Sequence, residues 1–426
     1  MREPAASHVA RQSDLGAFRA ALVCFGIAAL AGVAFRVLQA AGGPEWLEFA
    51  NVRHAHSHLM YFGWATAGVV ALVGAHLRER GLTPGGGAFR LSAWAAVGAG
   101  VVSFPPFLLD GYEPTMIAGA AVPLSVLASA FGGLVWLAVA AAYAHRTWRA
   151  PRDHVLCLLD AAVVFLVAAS LAAAARGAMT GAGAVAEAVA IQAFLGWFAD
   201  GWLVLAVLAL ASARLTGPTP RRGGRWGRRL AVVGLPLSPL LLLPPDWLAA
   251  GLRALAGASG LALAAGLLAL TGPLLAAAMR ERAWWWLLPL GAIAVRAAVE
   301  AALVSPTVGA WGQQAGLRIV LLHVVLVTGV SAALWSAAAT AWPARRLGER
   351  SAAWQASLAA MVASLVPLSG LWPGAGSGVW ALWVAALAGT APAVLALGGA
   401  AGPGRSARRW SPARRSAGPR ARPAGR

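Results

Sequence analysis

Three histidines, His54, His56 and His58, alternate through the stretch RHAHSHLMYFGW (Arg53 to Trp64), and a long apolar run begins where they end. Neutral imidazole can ligate a metal, donate and accept hydrogen bonds, or carry a proton near neutral pH, so the triplet concentrates that chemistry at one place. Another ring, His323, interrupts the apolar run GLRIVLLHVVLVTGVSAALW, where a polar group usually has a partner. The remaining histidines do not compete: His8, His145 and His154 fall in the N-terminal segment or polar connections, and His76 falls at the end of an apolar run.

The elements that must position these rings are membrane helices. Hydrophobic residues make up 59% of the 426, charged ones 12%, and the mean hydropathy is +0.69, a balance that soluble domains of this length do not reach. The apolar runs are about 20 residues long, whereas barrel strands would alternate over about 10, so an all-α polytopic bundle is expected. About twelve helices are expected, near 17–40, 54–77, 90–109, 118–145, 155–176, 186–213, 229–245, 252–279, 284–304, 314–341, 352–371 and 376–400. All 34 basic residues are Arg, and they gather in alternate connections, from Arg78, Arg80 and Arg90 to Arg345, Arg346 and Arg350. The intervening connections carry Glu45 and Glu48, Asp110 and Glu113, or Asp246. Positive-inside logic then puts both termini on the cytoplasmic side, with the inner (cytoplasmic) membrane as the expected location.

The formal charge of +19 follows from that topology, so membrane lipid is an expected partner and nucleic acid is not. Residues 1–401 form the expected membrane domain. Residues 402–426, with eight Arg and no acids, read as a disordered tail held near anionic lipid. Cys24 and Cys157 fall inside expected spans without ligand spacing, which points to neither a disulfide nor a metal site.

With the N-terminus inside, the second helix runs from outside to inside and carries its three rings in the first two turns. At about 100° per residue, His54 and His58 share a face while His56 points nearly the opposite way. The tenth helix runs in the same sense with His323 two to three turns in, so two helices bring imidazole to similar depth in the outer half of the membrane. Such a pair from facing helices suits the iron of a six-coordinate b-type haem, although spacing by itself says only metal or cofactor.

HSHLMYFGW, His56 to Trp64, resembles the His-x-His-Leu helix of haem-copper oxidase subunit I, particularly the branch related to nitric oxide reductase, and its twelve-helix relatives including NnrS-type proteins. LLHVVLVTGVSAALW is similar to a second His-bearing helix of these relatives, and IQAFLGWFADGWLVLAVLAL (Ile191 to Leu210) resembles their sixth. The resemblance implies haem b ligated by His323 and one or both of His56 and His58. It implies electron transfer or handling of a diatomic gas such as nitric oxide or oxygen, with a small redox protein or a quinol as donor. It does not extend to copper: the oxidases carry a copper-ligating histidine on the sixth helix and a pair on the seventh, and 186–213 and 229–245 contain none. Terminal oxidase activity is therefore not expected.

Other polar groups fall inside the apolar runs. Arg296 and Glu300 stand four apart on the ninth helix, where they can neutralise each other; Arg296 or Arg53 is alternatively a partner for a haem propionate. Arg318, with Gln313 and Gln314, is expected to cap the tenth helix at the interface, from where it could also reach a propionate. Asp200 has no base at i±3 or i±4, and reads as a proton relay, a substrate contact or a helix-to-helix hydrogen bond. Trp284 to Trp286 read as an interfacial aromatic belt. A second function class stays open: a proton- or metal-ion-coupled transporter with Asp200, Arg296 and Glu300 along its path. A third is a scaffold without a cofactor.

Overall fold

The computed structural model describes residues 5–82, 87–179, 181–215, 222–343, 347–372 and 378–401, so the Arg-rich segment 402–426 lies outside the described residues. Apolar runs of span length become the helices α1 (Asp14–Ala41), α2 (Phe49–Glu79), α3 (Gly87–Leu109), α4 (Leu124–Thr147), α5 (His154–Gly177), α6 (Ala184–Leu215), α7 (Arg222–Gly234), α8 (Ala250–Arg280), α9 (Trp284–Ala302), α10 (Pro306–Gln314), α11 (Leu317–Ala341), α12 (Gly348–Leu368) and α13 (Gly378–Ala401). All but α7 and α10 are long and apolar enough to cross a membrane, which makes eleven such helices among the described residues. The expected all-α polytopic bundle is the architecture of the chain.

The seventh expected helix, 229–245, is not continuous. α7 stops at Gly234, and the chain continues through Pro236 and Pro239 into a short 3₁₀ turn, Ser238–Leu242. Each proline lacks the N–H that an uninterrupted helix would use. The segment nevertheless runs the length of the bundle. Gly224 lies against His154 at the start of α5, and the carbonyl of Leu242 accepts from Gln313 at the opposite end. α7 runs antiparallel to α8 in backbone contact: a Cβ on Gly234 would come within 2.4 Å of Leu263 N, and one on Gly266 within 2.4 Å of Ala231 N. Small residues thus replace side-chain interdigitation here. Among the described residues, this broken segment lies beside the eleven long apolar helices.

Other boundaries also move. α2 begins at Phe49, which puts the histidine triplet in its second and third turns rather than its first two. The expected 118–145 helix begins only at Leu124, because Thr115–Ile117 and Ala120–Val122 pair as an antiparallel hairpin. Its two-residue turn holds Ala118 at φ 49° and Gly119 at φ 84°, the left-handed pair that tight hairpins require. The expected tenth helix, 314–341, is divided by Gly316 at φ 64°, which separates α10 from α11.

The three helices that carry the candidate residues are the most enclosed. Within their most apolar windows, 83% of α2, 78% of α6 and 61% of α11 is buried, against 39% of α1. Each also contains a π-helical stretch: Leu59–Thr66 in α2, Trp197–Val204 in α6 and Val324–Ser331 in α11. Such wide turns are rare, and they cluster at functional sites. The three stretches meet at the bundle centre, where the Trp64 indole donates to Ser331 Oγ at 2.8 Å and the rings of Tyr61 and Phe198 stand 5.1 Å apart. At the arginine-rich end, Arg78 pairs with Asp14, Arg80 with Asp153 at 2.7 Å and Arg214 with Glu79 at 3.0 Å, tying α1, α5 and α6 to the end of α2.

Candidate functional site

His56 and His323 are positioned by the same device from two helices. His56 Nδ1 donates to the Ala28 carbonyl of α1 at 2.7 Å, and Gly32, one turn further on, leaves room for the ring: its Cβ position lies 3.4 Å from His56 Cε1. His323 Nδ1 donates to the Ile319 carbonyl, one turn back on α11, at 2.7 Å. A carbonyl can only accept, so Nδ1 carries the hydrogen in each ring and Nε2 of the neutral ring presents its lone pair. This carbonyl anchoring is the arrangement that orients ligating histidines in metal sites. Neither Nε2 has a hydrogen-bond partner among the described residues. The two rings lie within electrostatic reach of each other, and each sits about 10 Å along its helix from the end opposite the arginine-rich loops.

His58 faces elsewhere. Its Nδ1 donates to the His54 carbonyl at 2.9 Å, and its Nε2 accepts from the Ser129 hydroxyl of α4 at 3.0 Å. The ring stacks on Phe107 of α3, with centroids 3.8 Å apart and planes at 21°. His54 shares that side, edge-on to Tyr112 at 4.8 Å. Of the three rings proposed from sequence as iron ligands, His56 and His323 lie within electrostatic reach of each other, and His58 sits on another face with both nitrogens occupied.

Arginines surround the outer end of this pair. Arg36 of α1 lies within electrostatic reach of both His56 and His323, and its guanidinium donates to Gln39 at 2.8 Å. Arg53 is exposed one turn before His56, and Arg318 lies within electrostatic reach of it. Arg318 is exposed at the start of α11, and it also lines a cavity beside Asp200 and Arg296. Among the described residues neither Arg53 nor Arg318 has an acidic partner. Arg36 went unnoticed in the sequence because α1 looks like an ordinary apolar span. Its only signal is that an arginine interrupts the run.

A second polar group lies between α6 and α9. Arg296 bridges two carboxylates, with its Nη2 2.8 Å from Asp200 Oδ2 and its Nη1 donating to Glu300 Oε2. The expected Arg296 and Glu300 pair is present, and Asp200 joins it from α6. These residues are 5%, 3% and 1% exposed for Arg296, Asp200 and Glu300, and Asp200 Oδ1 and Glu300 Oε1 have no partner among the described residues. A cavity of about 30 Å³ adjoins the group, lined by Gln192, Gly196, Asp200, Arg296, Arg318 and Leu321 among others. The expected aromatic belt divides, since Trp284 is 57% exposed while Trp286 is 1% exposed.

No family model matches the chain, and no curated protein matches it. Among the described residues no group of three or more His, Cys, Asp or Glu side chains is arranged to hold a metal ion.

Proposed function

We propose that the chain is a membrane haem-b protein related to haem-copper oxidase subunit I and its NnrS-type relatives, with Nε2 of His56 and His323 as the axial ligands. The observation that carries this reading is the pair of Nδ1 anchors, which leave two unpartnered Nε2 lone pairs on neighbouring helices at similar depth. Arg36, Arg53 and Arg318 supply the cations that two propionates would need at the outer end. A haem bound there would supply one-electron chemistry at its iron. The residues of the chain would hold the macrocycle between α2 and α11, set the orientation of both imidazoles and keep water from the centre.

Held by two imidazoles, a haem would favour electron transfer, with a small redox protein or a quinol as donor and the inner membrane as the setting. Handling of nitric oxide or oxygen would require one ring to leave. The test is the visible spectrum of the purified chain, oxidised and then reduced with dithionite, after expression with ample haem. A six-coordinate b-type spectrum that vanishes in His56→Ala and in His323→Ala is expected. A colourless protein would sink the reading. A second reading, a proton-coupled transporter, is favoured by the buried Asp200, Arg296 and Glu300 group beside its cavity.

A further inference from the structure

We propose that Asp200, Arg296 and Glu300 form a proton-binding site, in which the two carboxylates together carry one exchangeable proton that reaches them through the cavity beside Gln192 and Arg318. The inference does not rest on haem.

Charge counting is the first argument. One guanidinium faces two carboxylates, so the group holds an excess negative charge if both acids are ionised, and all three residues are at most 5% exposed. An uncompensated charge at that depth is costly, and the group is balanced when it takes up a single positive ion. Among the described residues, the charged groups that act on Glu300 are Arg296 and Asp200. Elsewhere around the cluster, α11 contributes Arg318 to the cavity, α8 brings Gly260 against Glu300, the turn after α7 brings Leu241, and α5 brings Phe165 against Gly201 beside Asp200. Among the described residues none of these neighbours is an acid, and Arg318 forms no ion pair with either carboxylate.

The unpartnered oxygens are the second argument. Each acid spends one oxygen on Arg296 and leaves the other, Asp200 Oδ1 or Glu300 Oε1, without a partner. A proton on either oxygen removes the excess charge, breaks neither bond to Arg296 and converts the bare acceptor into an O–H donor. Gln192, 5% exposed, supplies a further unpartnered oxygen, Oε1, on the same face of α6 two turns before Asp200. It lines the cavity with Asp200. A volume of about 30 Å³ has room for one or two waters between these groups. A metal cation fits the site poorly, because the side chains offer it three unpartnered oxygens, Asp200 Oδ1, Glu300 Oε1 and Gln192 Oε1, where a hard cation takes about six. Gln192 and Arg318 both lie toward the starts of their helices, so exchange is with the side opposite the arginine-rich loops.

Infrared spectroscopy of the full chain in detergent at neutral pH tests this. The wild type should show the carbonyl stretch of a protonated carboxylic acid that shifts down in D₂O. Both Asp200→Asn and Glu300→Gln should abolish it, although each removes only one acid, because the acid that remains pairs one-to-one with Arg296 and ionises. Absence of such a band in the wild type overturns the proposal, as does a band that survives in either variant. If a variant does not fold, the other and the wild type carry the test. Sodium-dependent thermal stabilisation without any acid band would mean a metal cation occupies the site, and the proposal fails.

Discussion

The histidine pair between α2 and α11 and the carboxylate group between α6 and α9 sit beside π-helical turns of the same bundle, yet they are finished to different degrees. Arg296 already satisfies most of the carboxylate group from within, and the balance is short by one small ion. The imidazoles of His56 and His323 are fixed on one side only. Their backbone anchors consume the Nδ1 hydrogens and leave the Nε2 lone pairs without work. A neutral ring can stay unsatisfied at modest cost where a buried charge cannot, and this difference distinguishes a site that awaits a large partner from one that awaits a proton.

The sharpest way to break the comparison is to remove the ligands. His56→Ala or His323→Ala should abolish the six-coordinate haem spectrum, whereas His58→Gln, which can still bond Ser129, should keep it. Loss in all three would return His58 to the site despite its stacking on Phe107. Next in size is Arg296→Gln. Breaking a buried ion pair by removing one partner costs about 3–5 kcal/mol, and here two carboxylates lose their counter-ion, so a large drop in the detergent melting temperature is expected. Glu300→Gln should change that temperature little. If Glu300→Gln proved as damaging as Arg296→Gln, the pairing would need both charges, and the carboxylate group would not be the nearly closed unit described above.

A smaller effect is expected at Gly32. Valine there would press on the His56 ring, whose Cε1 lies 3.4 Å from the Cβ position, and would tilt Nε2 off its axis. Disturbing the support of a ligating histidine typically costs about 10–100-fold in metal affinity. Haem retention during dilution should fall accordingly in Gly32→Val, with the carboxylate infrared band unchanged. A coordinated loss of both signals would mean the two sites share one packing unit.

How much of this was legible in the sequence depends on the range of each interaction. The opposed faces of His56 and His58 follow from 100° per residue, and the Arg296 and Glu300 pair follows from four-residue spacing, because both are properties of one helix. The partner of Asp200 lies 96 residues away, and no local pattern announces it. The break after Gly234 was signalled by Pro236 and Pro239 but was overridden by the apolar character of the run. The π-helical turns carry no distinctive residues, and the contacts of Trp64 with Ser331 and of Tyr61 with Phe198 that join them cross between helices far apart in the chain.

The smallest expected effects come from the two arginines proposed from sequence, and they separate the two sites most finely. Arg53 is exposed, so its contribution to a bound anion is screened and should amount to about 1 kcal/mol or less, fading as salt is raised. Arg53→Gln should therefore weaken haem retention by no more than about fivefold at low ionic strength, which is that energy restated, and should leave the infrared band alone. Arg318 is exposed as well, but it lines the cavity that also touches Asp200 and Arg296. Arg318→Gln should lower haem retention by a similar, salt-sensitive amount and, unlike Arg53→Gln, also change the rate at which D₂O shifts the carboxylic acid band. If Arg318→Gln left that rate unchanged, as Arg53→Gln should, the cavity would not be the route to the carboxylates, and the link between the two sites through Arg318 would fail.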